Sequence, residues 1–306
     1  MTMSSDVAVF EKPSKFERFL RRMRWMFGTY MGSRHVATAE TANGVLSFDS
    51  KDRTLGRQLC VYGHFEYDEM HGTVKNLKAL NYLPEHDGGR VMDVGGYVGM
   101  ISVGFLNAGL FDKALALEPN PNNFSLLQRN AEQNGLVDKI DARNVAVSDS
   151  RSTLQMELSE KNFGDHRIRS GEGQHNEADF FNEAGRDIIE IQALPLDELY
   201  AQEPEVFSDL RLVWMDIQGH EGKFFAGAKQ FFSDHPKLPV VMEFWPYGLK
   251  RSGMSREQFC DTVKSMFNTV YVLDERQEKQ SIDKIEAIFD QFDGPESGAH
   301  LLLIQE

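Results

Sequence analysis

Two acidic strand ends, a glycine-rich turn and a histidine stand at spacings in this sequence that could do chemistry. Asp93-Val-Gly-Gly-Tyr-Val-Gly99 ends a short apolar run, Arg90 to Val94, and precedes Met100 to Ala108, whose apolar residues recur at helical spacing. A glycine turn between strand and helix lets a ligand approach the backbone closely, and the helix N-terminus adds N–H donors that favour a negative group. Counted from Gly95, Tyr97 stands where G-x-G-x-x-G needs its second glycine, so the dinucleotide fingerprint fails. Asp93 beside the glycines would repel a pyrophosphate but suits the ammonium and sulfonium charges of an amino-acid-like cofactor. Alone, the turn also fits a plain strand-to-helix connection with a capping carboxylate. Glu118 ends the next apolar run, Lys113 to Leu117, where an α/β fold would set it beside the first turn with a carboxylate free to accept both ribose hydroxyls.

Asp216 lies in a strongly apolar run, Leu210 to Ile217, and His220 and Glu221 follow closely. Transfer of a group to an oxygen or nitrogen needs the acceptor held in line and a base or metal to take its proton. His220 is the first candidate for that base, with Asp216 positioning the acceptor or orienting the ring; the alternative is a helix-start histidine facing solvent. His-Glu also opens a zinc-protease motif, but Phe224 stands where the second His is required. Glu243, near the end of Val240-Val-Met-Glu-Phe-Trp245, could join Asp216 in holding Mg²⁺ through oxygen ligands. Two carboxylates do not make a metal site, so Mg²⁺ is left open but not expected. Trp245 and Tyr247 offer an apolar or sugar-stacking wall, or ordinary packing.

The elements that must position these residues read as follows. Lys15 to Gly28 carries Phe16, Phe19, Leu20, Met23 and Phe27 at helical spacing with arginines between them, a basic amphipathic helix that either packs on this domain or a second subunit or lies on an anionic membrane surface. Thr41 to Gly63 is irregular, and Phe65 to Leu83 is a helix that Pro84 stops. From Arg90 the text alternates strand and helix: Asn122 to Asn134 helical, Ile140 to Val147 a strand, then two alternating segments, Thr153 to Leu158 and Ile188 to Leu194, flanking a long polar loop. Further strands are expected at Leu210 to Ile217, Leu238 to Phe244, Thr269 to Leu273 and His300 to Ile304, with helices over Gly222 to Phe232, Arg256 to Phe267 and Asp283 to Phe292. That alternation predicts an α/β fold on a parallel sheet with right-handed crossovers.

Asp93-Val-Gly-Gly96, Glu118-Pro-Asn-Pro121, Asn144-Val-Ala-Val-Ser-Asp149 and Met215-Asp-Ile-Gln-Gly-His-Glu221 resemble, in order and spacing, the successive motifs of the FkbM family of methyltransferases. The resemblance covers roughly Arg90 to Glu306, with a weaker echo in Gly63-His-Phe-Glu66. It implies a class I methyltransferase, Rossmann-like, with a seven-stranded sheet, mostly parallel with an antiparallel last strand, and S-adenosyl-L-methionine as cofactor. The expected organisation is an N-terminal helical extension over 1–84 and a methyltransferase domain over 85–306, with a hairpin and loop insertion around 152–195. Residue by residue, the resemblance puts Gly95, Gly96 and Gly99 on the methionine part of the cofactor, Glu118 on the ribose, and Asn144 and Val145 near the adenine, with Asp93 and Asp216 at the same site. Tyr97 stands where the family often has Asn, which leaves its backbone rather than its side chain to serve the cofactor; Gln218 replaces a commoner Glu. Asn162 to Ile168 also resembles a family segment, in which Arg167 would contact the acceptor or its anionic carrier, beside Glu243 and Trp245.

Composition bounds the rest. With 33 Lys and Arg against 47 Asp and Glu, the net charge of −14 disfavours nucleic acid as a partner, and a small-molecule or glycan-like acceptor fits better. The two cysteines, Cys60 and Cys260, are too few and too far apart for a disulfide framework or a Cys-x-x-Cys metal site. A start without a secretory signal pattern and no long apolar span point to the cytoplasm. O-methylation of a hydroxyl on a small metabolite, sugar or glycan precursor is the leading expectation. The alternatives are methylation of a protein or nucleic acid, and a catalytically silent binding protein on the same fold.

Overall fold

A computed structural model describes residues 12–31, 36–169, 180–182, 185–273, 279–292 and 294–306. Most of the long polar loop after Arg169 lies outside them. The chain enters helix α1 (Lys15–Met31) through a capping box: Glu17 N–H donates to Ser14 Oγ at 3.2 Å and Ser14 N–H to Glu17 Oε2 at 2.8 Å. The stretch expected to be irregular is ordered. Strands β1 (Val36–Thr41) and β2 (Gly44–Asp49) form an antiparallel hairpin, and α2 (Leu55–Tyr62) follows. The N-terminal extension is therefore not wholly helical. Its strand signal is weak because Leu46, Ser47 and Phe48 are buried consecutively and hide the alternation. Helix α3 (Tyr67–Ala79) ends short of Pro84, at Leu80, with Asn81 in the left-handed region at φ 62°.

The strand–turn–helix units then appear as β3 (Arg90–Val94), α4 (Met100–Asn107), β4 (Lys113–Leu117), α5 (Pro121–Gln133) and β5 (Ile140–Arg143). The single strand expected over Ile140 to Val147 divides at Asn144: β5 pairs with β4, whereas β6 (Ala146–Val147) joins a second sheet with β7 (Ser152–Leu158), β8 (Arg167–Ile168) and β9 (Asp187–Leu194), in the order β6-β9-β7-β8. The β7–β9 pair is the expected hairpin. After α6 (Leu196–Gln202) come β10 (Leu210–Met215), α7 (Glu221–Ala226) and α8 (Lys229–Asp234). One helix was expected across the last two. It breaks at Gly227, where a Cβ would lie 2.0 Å from the Ser148 carbonyl oxygen. The chain finishes with β11 (Val240–Phe244), α9 (Pro246–Arg251), α10 (Arg256–Lys264), β12 (Thr269–Val272), β13 (Lys279–Ser281), α11 (Ile285–Phe289) and β14 (Ala299–Ile304).

The large sheet runs β13-β12-β14-β11-β10-β3-β4-β5. Its β11, β10, β3, β4 and β5 are parallel, and β14 is antiparallel to both β11 and β12. This is the class I methyltransferase sheet the resemblance implies, with an eighth strand rather than seven: β13 is a three-residue polar edge strand carrying no apolar signal. Alternate strand residues feed two cores. Met92, Val94, Val213, Met215 and Met242 pack with Phe224 and Phe225, while Val91, Leu212, Trp214 and Val241 pack with Phe105 of α4 and with Leu46, Phe48 and Leu59 of the N-terminal segment. That segment thus covers one face of the sheet. Among the described residues, no helix is long and apolar enough to cross a membrane.

Candidate active site

At the carboxyl edge of β3 the chain turns sharply because it has no side chain to accommodate: Gly95 sits at φ 90°, and a Cβ there would lie 1.9 Å from the Asp216 carbonyl oxygen. The Gly95 and Gly96 N–H groups both donate to the Leu117 carbonyl, at 2.9 and 3.0 Å, so they serve the turn itself. Gly99, at φ 81°, begins α4 under Leu127. Asp93 lies behind the turn, accepting the Ser102 N–H at 3.1 Å and hydroxyl at 2.5 Å, and burial raises its pKa to about 6.

The turn opens onto a cavity whose walls include Gly95, Tyr97, Glu118, Val145, Asp216 and His220. Asp93, Gly96, Gly99 and Asn144 do not line it. Glu118 is buried at its edge, with Oε2 accepting the Tyr97 N–H at 2.8 Å and Oε1 the Asn120 N–H at 2.7 Å; burial outweighs both bonds and pushes its pKa up to about 8. Two backbone N–H groups and the Asn123 side chain already engage it, so what it offers a ligand hydroxyl is the remaining position on the carboxyl group. Asn144 works from outside, donating to the Glu118 and Pro119 carbonyls at 2.8 and 2.9 Å and so holding that strand end. Val145, Met156 and Ile168 supply apolar walls.

Tyr97 adopts a left-handed backbone at φ 48°, and its side chain leaves the cavity: the buried phenol donates to Asp52 Oδ2 at 2.5 Å. Asp52, wholly buried, also accepts the Thr54 N–H at 2.9 Å and the Phe163 N–H at 3.3 Å. One carboxylate therefore ties the glycine turn, the start of α2 and the loop carrying Phe163 together. Nothing in the sequence singles it out, since its partners are distant along the chain. His166, on that loop, also lines the cavity. Burial lowers its pKa to about 4, and its Nδ1 accepts the Ser159 N–H at 3.0 Å, which assigns the ring proton to Nε2.

On the other side, Asp216 follows β10 with its N–H on the Val94 carbonyl at 3.0 Å. Gln218 and Gly219 take successive left-handed conformations at φ 55° and 99°, and the Gln218 amide donates to Asp216 Oδ1 at 2.7 Å and Glu243 Oε2 at 2.9 Å. The two candidate metal carboxylates are thus bridged by a neutral donor. Burial, then Asp216, holds Glu243 well above the carboxylate range. Among the described residues, no three His, Cys, Asp or Glu side chains gather as a metal-binding group. Glu221 closes the bend, accepting the Ile217 and Gly219 N–H groups at 3.3 and 3.2 Å, and burial lifts its pKa to about 7.

His220 is buried rather than facing solvent, and its Nε2 lies 2.9 Å from Ser148 Oγ. Burial lowers its pKa to about 4, so the ring is neutral at neutral pH. Gln218 and His220 line both this cavity and a second crevice, whose other walls include Arg167, Gly248 and Arg251. Arg167 is itself buried: its Nε donates to Asp165 Oδ1 at 2.5 Å, and its guanidinium lies 4.6 Å from the Phe181 ring centroid and 4.4 Å from that of Trp245. Trp245 is 7% exposed, with its indole N–H on the Pro295 carbonyl at 2.6 Å, so its visible work is to hold Arg167.

The family model for the methyltransferase FkbM domain matches residues 93–273. No curated protein sequence matches the chain. Among solved structures, a methyltransferase FkbM from Methylobacillus flagellatus KT is similar over 71% of this chain and 44% of its own, at 16% identity and a TM-score of 0.38, so the likeness spans less than half of that protein. M. capricolum TrmK, solved with S-adenosylhomocysteine, is similar over 79% of this chain and 69% of its own, at 10% identity and a TM-score of 0.37. An O-methyltransferase from Bacillus cereus, also in complex with S-adenosylhomocysteine, is similar over 77% and 90%, at 12% identity and a TM-score of 0.32.

Proposed function

Because this chain belongs to the methyltransferase FkbM domain family, whose model spans residues 93–273, we propose that it is an S-adenosylmethionine-dependent methyltransferase acting on a hydroxyl of a small metabolite, sugar or glycan precursor. The observation that carries this reading is the shared wall. Gln218 and His220 face the cavity under Glu118 on one side and the Arg167–Arg251 crevice on the other, so two ligands can meet across them.

The residues present fit the cofactor. Glu118 would take a ribose hydroxyl, the Gly95 turn would admit the amino-acid portion against bare backbone, and Val145, Met156 and Ile168 would enclose the base. When bound, it supplies an activated methyl group carried on a sulfonium. The remaining work belongs to the chain. Asp216, which lines the cavity and is held by Gln218, offers a carboxyl oxygen as hydrogen-bond acceptor that would orient a hydroxylated acceptor, while Glu243 lines neither space and braces Gln218 from behind. His220, neutral and backed by Ser148, accepts the acceptor's proton as its oxygen becomes nucleophilic. Arg167 and Arg251 set the charge of the crevice through which the acceptor enters.

The test is methyl transfer from labelled S-adenosylmethionine to a panel of sugars, sugar phosphates and phenols, with matched amines alongside. Transfer to hydroxyls is expected, with His220→Ala lowering kcat about a hundredfold or more. Transfer confined to amines, or full turnover in His220→Ala, contradicts the assignment.

A further inference from the structure

Helix α1 packs with its apolar side turned outward. Phe16, Phe19 and Phe27 are 69, 57 and 58% exposed, and Leu20 and Met26 are 41 and 44% exposed. At 3.6 residues per turn these five positions fall within roughly 120° of arc. The opposite side makes the internal contacts: Trp25 is buried with its ring centroid 5.9 Å from that of Phe48, and the Arg18 guanidinium lies 5.9 Å from the Tyr62 ring centroid on α2. An ordinary surface helix buries the stripe that this one exposes. The placement is anchored, since Lys12 pairs with Asp68 at 2.7 Å ahead of the capping box.

Charge identifies the occupant. Between Lys15 and Met31 the chain carries Lys15, Arg18, Arg21, Arg22 and Arg24 against Glu17 alone, 5 − 1 = +4, while the whole chain stands at −14, leaving −14 − 4 = −18 elsewhere. Exposed Lys15 and Arg22 border the apolar stripe on one side and exposed Arg24 on the other. Long cationic side chains beside an apolar stripe can extend to headgroup phosphates while the rings enter the acyl boundary. Pairing of two α1 helices would instead bring two +4 segments together. We infer that α1 is an interfacial anchor that seats the enzyme on an anionic lipid surface, independently of which acceptor the active site takes.

The experiment is flotation of the full-length chain with vesicles of phosphatidylcholine alone and of phosphatidylcholine mixed with phosphatidylglycerol, with light scattering for the oligomeric state. The wild type is expected to float with the anionic vesicles, weakly with the neutral ones, and less as salt rises. Phe16→Glu with Phe19→Glu is expected to abolish flotation with the melting temperature unchanged, both side chains being exposed. Arg22→Glu with Arg24→Glu is expected to weaken partition about twentyfold or more, at about fivefold per cation. No flotation of the wild type, equal binding to both vesicles, or unaltered binding of the phenylalanine variant overturns the inference. So does a wild-type dimer that the phenylalanine substitutions convert to a monomer without any vesicle binding, which would make this face a contact between copies.

Discussion

The Tyr97 phenol donates to the buried Asp52 carboxyl across 2.5 Å, joining the turn that opens the cavity to a segment that precedes the matched methyltransferase domain. Asp52 also receives Phe163, so the turn and the loop over the cavity share one anchor. Tyr97→Phe removes the donor and leaves Asp52 short of a partner in a buried place. It is expected to cost about 1–3 kcal/mol of stability and to weaken S-adenosylhomocysteine binding, read by thermal melting and calorimetry. Unchanged values for both would mean that the link is incidental.

The pH dependence of kcat/KM tests His220. Burial holds its pKa at about 4, so as the base it stays unprotonated from neutrality down to acid pH. The acid limb of the profile that belongs to it is expected near pH 4 rather than at the usual histidine value of about 6.5. That limb should vanish from the residual activity of His220→Gln. A limb near 6.5 that disappears with His220 would mean that the ring is solvated in the working enzyme.

Stability should fall as pH rises from 6.5 to 8.5. Burial raises Glu66 to about 8, Glu118 to about 8 and Glu221 to about 7, each above its unfolded value, so the folded state holds protons that the unfolded chain releases. His300 acts in the same direction: burial opposes its charge, but Glu69 at 2.6 Å and neighbouring carboxylates lift its pKa to about 8. Each contribution is present below the unfolded pKa and lost as pH climbs through the folded one. His220 and His166, depressed to about 4, contribute stability that is complete above their unfolded value of 6.5 and lost on acidification, so they oppose the trend only weakly at its lower edge. Melting followed by circular dichroism across that interval should show a falling midpoint; a rising one would contradict the burial of these acids.

The strand–turn–helix unit around Gly95 was legible because its signals are local: an apolar run, then glycines that the backbone needs at positive φ. The mostly parallel sheet with an antiparallel last strand followed from the alternation and the resemblance together, whereas the polar edge strand β13 left no apolar signal to read. Ile140 to Val147 reads as one strand because apolar spacing says nothing of the bend at Asn144, whose side chain finds its partners a strand away at Glu118 and Pro119. Asp52 is an unremarked acid in an irregular stretch until the fold brings Tyr97 to it. For α1, the sequence pattern identifies an apolar stripe but not which way it faces; the orientation is set by Trp25 and Arg18 on the far side.

Methyl transfer from S-adenosylmethionine requires that the cavity between the Gly95 turn and Glu118 hold the cofactor, which calorimetric titration with S-adenosylhomocysteine measures. Wild-type protein is expected to bind one equivalent, and Gly95→Ala, whose Cβ would meet the Asp216 carbonyl at 1.9 Å, to lose that binding. Absence of binding by correctly folded wild-type protein, or an affinity unchanged in Gly95→Ala, would contradict the account.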